Sequence, residues 1–460
     1  MLKRKFIGDK KFYLMLLSVV VPIVLQQFIT QFVSLIDNLM IGRIGNSEMT
    51  GVSLANQLLF VFNLAIFGSL SGASIFASQY YGAGNKEGYQ QTFKFKWFMG
   101  VIIVVISSLL FVTFSEELLS FFINSKDGDF SDPTVVLASG KKYLMVMLVG
   151  NIPFLIKEIY ATSLREMKET FFPMLSGVIA IVVNLILNAV LIFGLIGFPK
   201  LGVIGAAIAT VVSRFVEMIL VIIYSHLKTN KHPLFKNIYK GEILHKESIK
   251  KFIPKTLMLL ANETFWSLGL TLMLSCYSFR GVDIVSAFSI NNTVYNVFIT
   301  VGTSLGNATA IVLGAMLGAK KVEEAKDASF KIMAFSFLVT LIFMGLQIAC
   351  SYFVPSIYET SGGIREMATK LIIISALFLP FNAINTVCYF TLRAGGMMLI
   401  TILFDSVFVM CVRLPIAYVL CHFTPMSIYG IFAIVTGVDL IKIFIGYYLI
   451  NNGVWIKSII

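Results

Sequence analysis

The chain has 460 residues, of which 57% are hydrophobic and only 13% charged, and it carries a net charge of +12. A soluble protein of ordinary composition carries about a quarter charged residues, so this apolar excess excludes a string of soluble domains and makes the bilayer the solvent. The five cysteines (Cys276, Cys350, Cys388, Cys411, Cys421) exclude a zinc or redox module, because they lie in or beside apolar stretches without a CxxC pair or a histidine at zinc spacing.

Crossing ~30 Å of hydrocarbon takes about 20 mostly apolar residues per helix. In chain order such stretches cover 12–41, 52–80, 95–115, 141–163, 171–194 and 203–226. After a hydrophilic, lysine-rich break come 252–277, 284–316, 329–352, 367–392, 397–422 and 428–450. The first is too long for a secretion signal, contains Pro22, Gln26, Gln27 and Asp37, and is followed by no small-residue cleavage site. The sequence therefore predicts an all-α integral membrane protein of twelve transmembrane helices in two pseudo-symmetric six-helix bundles. Residues 1–227 form an N-lobe with helices 1–6, 228–250 a cytoplasmic lobe-to-lobe linker, and 251–460 a C-lobe with helices 7–12.

The basic residues sort by side. With the amino terminus in the cytoplasm, that side collects twenty-four of them, including Lys3, Arg4, Lys5, Lys86, Lys94, Lys96, Arg165, eight lysines from Lys228 to Lys255, Lys320, Lys321 and Arg393. The other side has eight, among them Arg43, Lys141, Lys142, Arg280 and Lys370, and four fall within spans. A threefold bias that alternates correctly over twelve spans is a topology signal, with both termini cytoplasmic in a cell (plasma) membrane protein. The positive charge is thereby explained without nucleic acid.

The two halves resemble each other. Gly68-Ser-Leu-Ser-Gly72 matches Gly302-Thr-Ser-Leu-Gly306, and Gly84-Asn-Lys86 matches Gly318-Ala-Lys320, both 234 residues apart. Ile152-Pro-Phe154 matches Leu379-Pro-Phe381, and Leu164-Arg165 matches Leu392-Arg393, in the same order. Six helices separate equivalent points, so the repeat is parallel, with its axis along the membrane normal. Two such bundles can rock about a central cleft, the mechanical basis of secondary transport. The glycines of these runs suit close helix approach.

Together these residues resemble the bacterial multidrug and toxic-compound extrusion (MATE) transporters over essentially the whole chain. The resemblance rests on Pro22, Gln26-Gln27 and Asp37-Asn-Leu-Met-Ile-Gly42, on Gly72-Ala-Ser-Ile-Phe-Ala-Ser-Gln79-Tyr-Tyr-Gly82-Ala-Gly84, and on Asn184-Leu-Ile-Leu-Asn188 with Gly194. Gly205-Ala-Ala-Ile-Ala-Thr210, Glu263, Leu392-Arg-Ala-Gly-Gly396 and Arg413-Leu-Pro415 continue it. It implies a secondary active antiporter that exports bulky, often cationic organic compounds in exchange for Na⁺ or H⁺. It also implies no cofactor beyond that ion, and no enzymatic activity. Its partners would be the bilayer and small organic substrates, and the chain would function as a monomer. The chain departs from the family at Asn188 and near Asn382, where members often or sometimes carry an acid. An alternative of the same broad architecture is a lipid-linked precursor or polysaccharide flippase.

An ionised side chain at bilayer depth costs ~2.5–3.5 kcal/mol on insertion scales, so embedded acids are functional candidates. Asp37, about one turn from the outer end of the first span, either pairs with Arg43 at the interface or faces a water-filled cavity. Asn184 and Asn188, four apart on one helix face, would add amide oxygens to that carboxylate, making Asp37, Asn184 and Asn188 the cation-coupling and Na⁺-ligating set. Glu263, in the seventh span with no basic residue within a turn or two along its helix, is the C-lobe candidate, for a cation or a cationic substrate. Asp405 has Arg413 and Arg393 as expected structural partners. Glu158 is expected to pair with Lys157, Glu217 with Arg214, and Asp439 with Lys442. Gln26, Gln27, Gln57, Asn63, Asn292 and Trp266 are candidate cavity or substrate contacts, and the many aromatic and methionine side chains suit flat lipophilic cations. A GxxxxGK[S/T] phosphate loop and an HExxH helix are both absent from the sequence, which argues against ATP-driven pumping and against a zinc enzyme.

Overall fold

Lipid offers the backbone no hydrogen-bonding partner, so every spanning segment must satisfy its own N–H and C=O groups. The computed structural model does this with twelve membrane-length helices among the described residues, which are 6–42, 46–120, 133–227, 235–239, 244–358, 360–457 and 459–460. Side chains are described for these except at 32–39, 41, 42, 46, 133 and 282. The helices are α1 (Lys10–Gly42), α2 (Asn46–Gly82), α3 (Lys86–Ser120), α4 (Pro133–Glu166), α5 (Phe171–Phe193) and α6 (Gly202–Leu227). Then follow α7 (Lys246–Ser278), α8 (Val282–Gly318), α9 (Val322–Ile357), α10 (Gly362–Ala394), α11 (Met398–Phe423) and α12 (Ile428–Asn451).

Number and order agree with the hydropathic reading, but most helices run longer than the apolar stretches that announced them. In α3, for example, the regular turns begin at Lys86 rather than at 95, because a helix can continue into the polar interface after its hydrocarbon segment ends. Prolines lie inside several helices, at Pro22, Pro153, Pro254, Pro355 and Pro380. Each removes an N–H from the ladder. Three departures from regular α-helix carry no such internal mark, one of them a break at Phe114 in α3 (φ −122°, ψ 23°). Within α11 the turns Leu403–Val407 and Val409–Arg413 are π-helical, and α12 loosens between its segments Ile428–Gly437 and Leu440–Asn451.

The chain divides into two compact units. The first takes Met1–Val24, Ile75–Asn85 and Pro254–Ile460; the second takes Leu25–Ser74 and Lys86–Ile253. In the first, α10 packs extensively on both α8 and α9, around a core that includes Met273, Tyr277, Phe288, Leu371 and Ile431. Helix ends also meet there backbone to backbone. A Cβ on Gly82 would lie 1.9 Å from the carbonyl oxygen of Ala315, and one on Gly318 would lie 1.8 Å from that of Gln79. Gly318 belongs to a repeated run, and Gly82 lies two residues before its counterpart Gly84, in a stretch whose glycines suit close helix approach. Beside them, Gln79 donates to the Ala394 carbonyl (2.9 Å) and accepts from the Ile459 N–H (2.9 Å).

In the second unit α6 packs on α4 and α5, and α3 on α4. The described part of the linker docks on it. Phe235 and Ile238 are each 1% exposed, and the Phe235 ring stacks on Tyr160 at 5.8 Å. Gln90 donates to the Lys236 carbonyl at 3.2 Å, and the His245 N–H donates to Gln91 at 3.0 Å. The Tyr160 hydroxyl meets both His226 (2.9 Å) and the Tyr239 hydroxyl.

Candidate functional site

A buried charge is stable only when paired and hydrogen-bonded, so the paired charges show where polar chemistry is held within each unit. In the second unit, α4 supplies Lys157, Glu158 and Arg165. Lys157 Nζ lies 2.6 Å from Glu158 and 3.6 Å from Glu217 on α6, while Arg165 lies 3.9 Å from Glu158. Arg165 also donates to the Gln26 side-chain oxygen (3.1 Å), and Gln26 donates to the Pro173 carbonyl (3.4 Å). Gln26 is thus held by a cation and a backbone carbonyl. The expected pairing of Glu158 with Lys157 is present. Glu217, expected beside Arg214, is instead the partner of Lys157. Arg214 turns to Gly150 O (3.1 Å) and Asn151 (3.4 Å), and its guanidinium sits 4.9 Å from the Phe154 ring centroid. A lysine across the bundle gets closer to Glu217 than its own helix neighbour does.

The amide pair of α5 is buried, with Asn184 6% and Asn188 2% exposed. Asn188 donates to the Asn184 oxygen (3.1 Å), and Asn184 donates to Thr210 on α6 (3.3 Å). The structure thus brings the two predicted amides together and adds Thr210. Asp37 lies on α1, but its side chain is outside the described residues. Of the other candidates here, Gln57 and Gln27 are exposed and Asn63 is half-buried, its side-chain oxygen buried without a hydrogen-bond partner.

In the first unit Glu263 is not isolated. Arg393, from the end of α10, places a guanidinium nitrogen 3.7 Å from its carboxylate, and Tyr389 donates to it at 3.4 Å. Its own helix carries no basic residue within a turn or two, and the base arrives from another helix. Asp405 pairs with Lys442 at 3.8 Å rather than with Arg413 or Arg393, and Arg413 pairs with Asp439 at 3.0 Å, where Lys442 was expected. Trp266 packs half-buried against the core of this unit, and Asn292 is exposed.

One buried pair escaped the sequence altogether. Lys96, counted among the cytoplasmic cations, has a side chain 0% exposed, 2.6 Å from Glu166, whose side chain is 3% exposed. Thr162 (3.2 Å) and Ser163 (3.1 Å) take further hydrogens of its ammonium. The only sequence signal was the position of Lys96 at the edge of an apolar run.

The arrangement is that of paired charges and neutral oxygens distributed through both units. Comparison with known proteins places the chain in a family. The family model MatE matches residues 22–190 and 258–419. The chain is 26% identical over 450 residues to the probable multidrug resistance protein YoeA of Bacillus subtilis, covering 95% of this chain and 93% of that one. It is 24% identical over 420 residues to the probable multidrug resistance protein NorM of Thermotoga maritima, covering 90% and 87%. Among solved structures it resembles a mutant of the Vibrio cholerae MATE transporter VcmN (TM-score 0.86, 16% identity, 98% of each chain). It also resembles a MOP superfamily transporter from Pyrococcus furiosus (TM-score 0.85, 17% identity, 99% and 98%), described as having a binding pocket of reversed polarity.

Proposed function

The chain belongs to the MatE family of membrane transporters, and from that membership we propose that it is a secondary active antiporter exporting organic, often cationic, compounds in exchange for Na⁺ or H⁺. The observation that carries this reading is the family match to both halves of a chain with twelve membrane-length helices. The two relatives compared in sequence are described as multidrug resistance proteins, which supports a small organic substrate over a polymer or a lipid-linked sugar. The protein works as a monomer with both termini in the cytoplasm, and residues 1–227 and 251–460 rock as lobes about the 228–250 linker.

Coupling uses two acids. In the second unit, Asp37 joins the buried Asn184 and Asn188 oxygens, a hard oxygen set that suits Na⁺. In the first unit Glu263 plays the corresponding part, with Arg393 as its resting counter-charge. Gln26, Gln27, Gln57, Asn63, Asn292 and Trp266 serve the substrate path.

The test is transport of a fluorescent lipophilic cation by proteoliposomes under imposed Na⁺ or pH gradients. Wild type should respond to at least one gradient, and Asp37→Asn should fold normally yet lose the gradient-driven component. Efflux indifferent to both gradients in the wild type, or full coupling in Asp37→Asn, would contradict the proposal.

A further inference from the structure

A chain of hydrogen bonds links two acids of the first unit, Glu263 and Asp405. Asn262 Nδ2 donates to the Tyr389 hydroxyl (3.1 Å) and to Asp405 (3.1 Å), so both of its hydrogens are used. Its side-chain oxygen accepts from Ser406 at 2.6 Å. The amide can adopt only this orientation, since flipping it would set its oxygen against the Asp405 carboxylate. The Tyr389 oxygen accepts from Asn262 and from Arg393 Nη1 (3.3 Å). With both lone pairs engaged, the single hydroxyl hydrogen is directed at Glu263, 3.4 Å away. Asp405 and Ser406 reach Asn262 from a π-helical turn of α11, Leu403–Val407. Such turns displace side chains from the regular α-helical register. Neither base closes on its acid, for Lys442 stands 3.8 Å from Asp405 and Arg393 stands 3.7 Å from Glu263.

We propose that Asp405 is a positioning residue for ion coupling: through Asn262 and Tyr389 it fixes the hydroxyl that orients the Glu263 carboxylate toward its ion. The proposal rests on the reading of Glu263 as a coupling acid. Asp405 touches no ion in this scheme. It acts by holding one amide in one orientation, from its place in the π-helical turn Leu403–Val407.

The experiment measures proteoliposome transport of the fluorescent cation as a function of Na⁺ at fixed pH, and of proton concentration without Na⁺. The variants are Glu263→Gln, Asp405→Ala and Asp405→Asn. Outer-shell partners of an ion ligand typically affect affinity 10–100-fold, so Asp405→Ala should raise the half-saturating ion concentration by about tenfold with the maximal rate kept. Asp405→Asn, whose amide oxygen still accepts the Asn262 hydrogen, should stay near wild type. Should Asp405→Ala fail to fold, Asn262→Leu removes the same bridge and should show the same shift. If Glu263→Gln loses ion dependence while Asp405→Ala keeps the wild-type half-saturation, the positioning role is overturned and the Glu263 reading stands. If Glu263→Gln keeps the wild-type ion dependence, both fall. A drop in maximal rate and yield in both Asp405 variants, without a shift in half-saturation, would mark a structural role and also overturn the proposal.

Discussion

Lys96 and Glu166 test what a buried pair contributes, because both side chains are sealed from solvent and 2.6 Å apart. Removing one partner of such a pair destabilises by about 3–5 kcal/mol, while an apolar replacement of both can be neutral. Lys96→Met should therefore lower the thermal unfolding midpoint in detergent markedly, and Lys96→Met/Glu166→Leu should recover most of the loss. An unchanged midpoint in the single variant would show that Glu166 finds another partner or takes up a proton at no cost. The sequence could not have announced this pair, because a count of positive charges by side registers position and not burial. Adjacent partners such as Lys157 and Glu158 were legible. Asp405 with Lys442 and Glu263 with Arg393 were not, because which turn of one helix faces which turn of another is decided by packing of all the side chains between them.

At the scale of the helices, apolar length was enough to place all twelve spans, and glycine spacing was enough to anticipate a tight crossing. Gly82 and Gly318 lie where a side chain would occupy a neighbour's carbonyl oxygen. Forcing extra atoms into packed space costs ~1–3 kcal/mol, and here the obstacle is backbone, which cannot rotate away. Gly318→Ala should reduce the folded yield by monodisperse elution in detergent. Gly345→Ala in α9, where an added Cβ meets nothing within 4 Å, should leave it unchanged or slightly better, since alanine favours a helix by ~1 kcal/mol over glycine. Equal losses in both would mean that the crossing is not what the glycine protects. The π-helical turns of α11 were only partly legible. Pro415 lies just beyond them and withholds an N–H from the ladder, but nothing in the sequence says which way the extra residue in the turn moves Asp405.

For the whole molecule, orientation is the first thing to measure. In a background lacking the five native cysteines, single cysteines at the exposed Lys142 and Lys246 would report opposite sides. An impermeant maleimide applied to intact cells should label Lys142→Cys and leave Lys246→Cys untouched until the membrane is opened; the reverse pattern would invert the topology. The division into units has a further meaning, in time rather than in space. The second unit closes its sequence at Ile253, so everything it needs has been made once that residue has been added. The first unit owns Met1–Val24 and Ile75–Asn85 but finds the rest of itself only from Pro254 onward. A chain grown as far as Ile253 thus contains every segment of the second unit but, of the first, only Met1–Val24 and Ile75–Asn85.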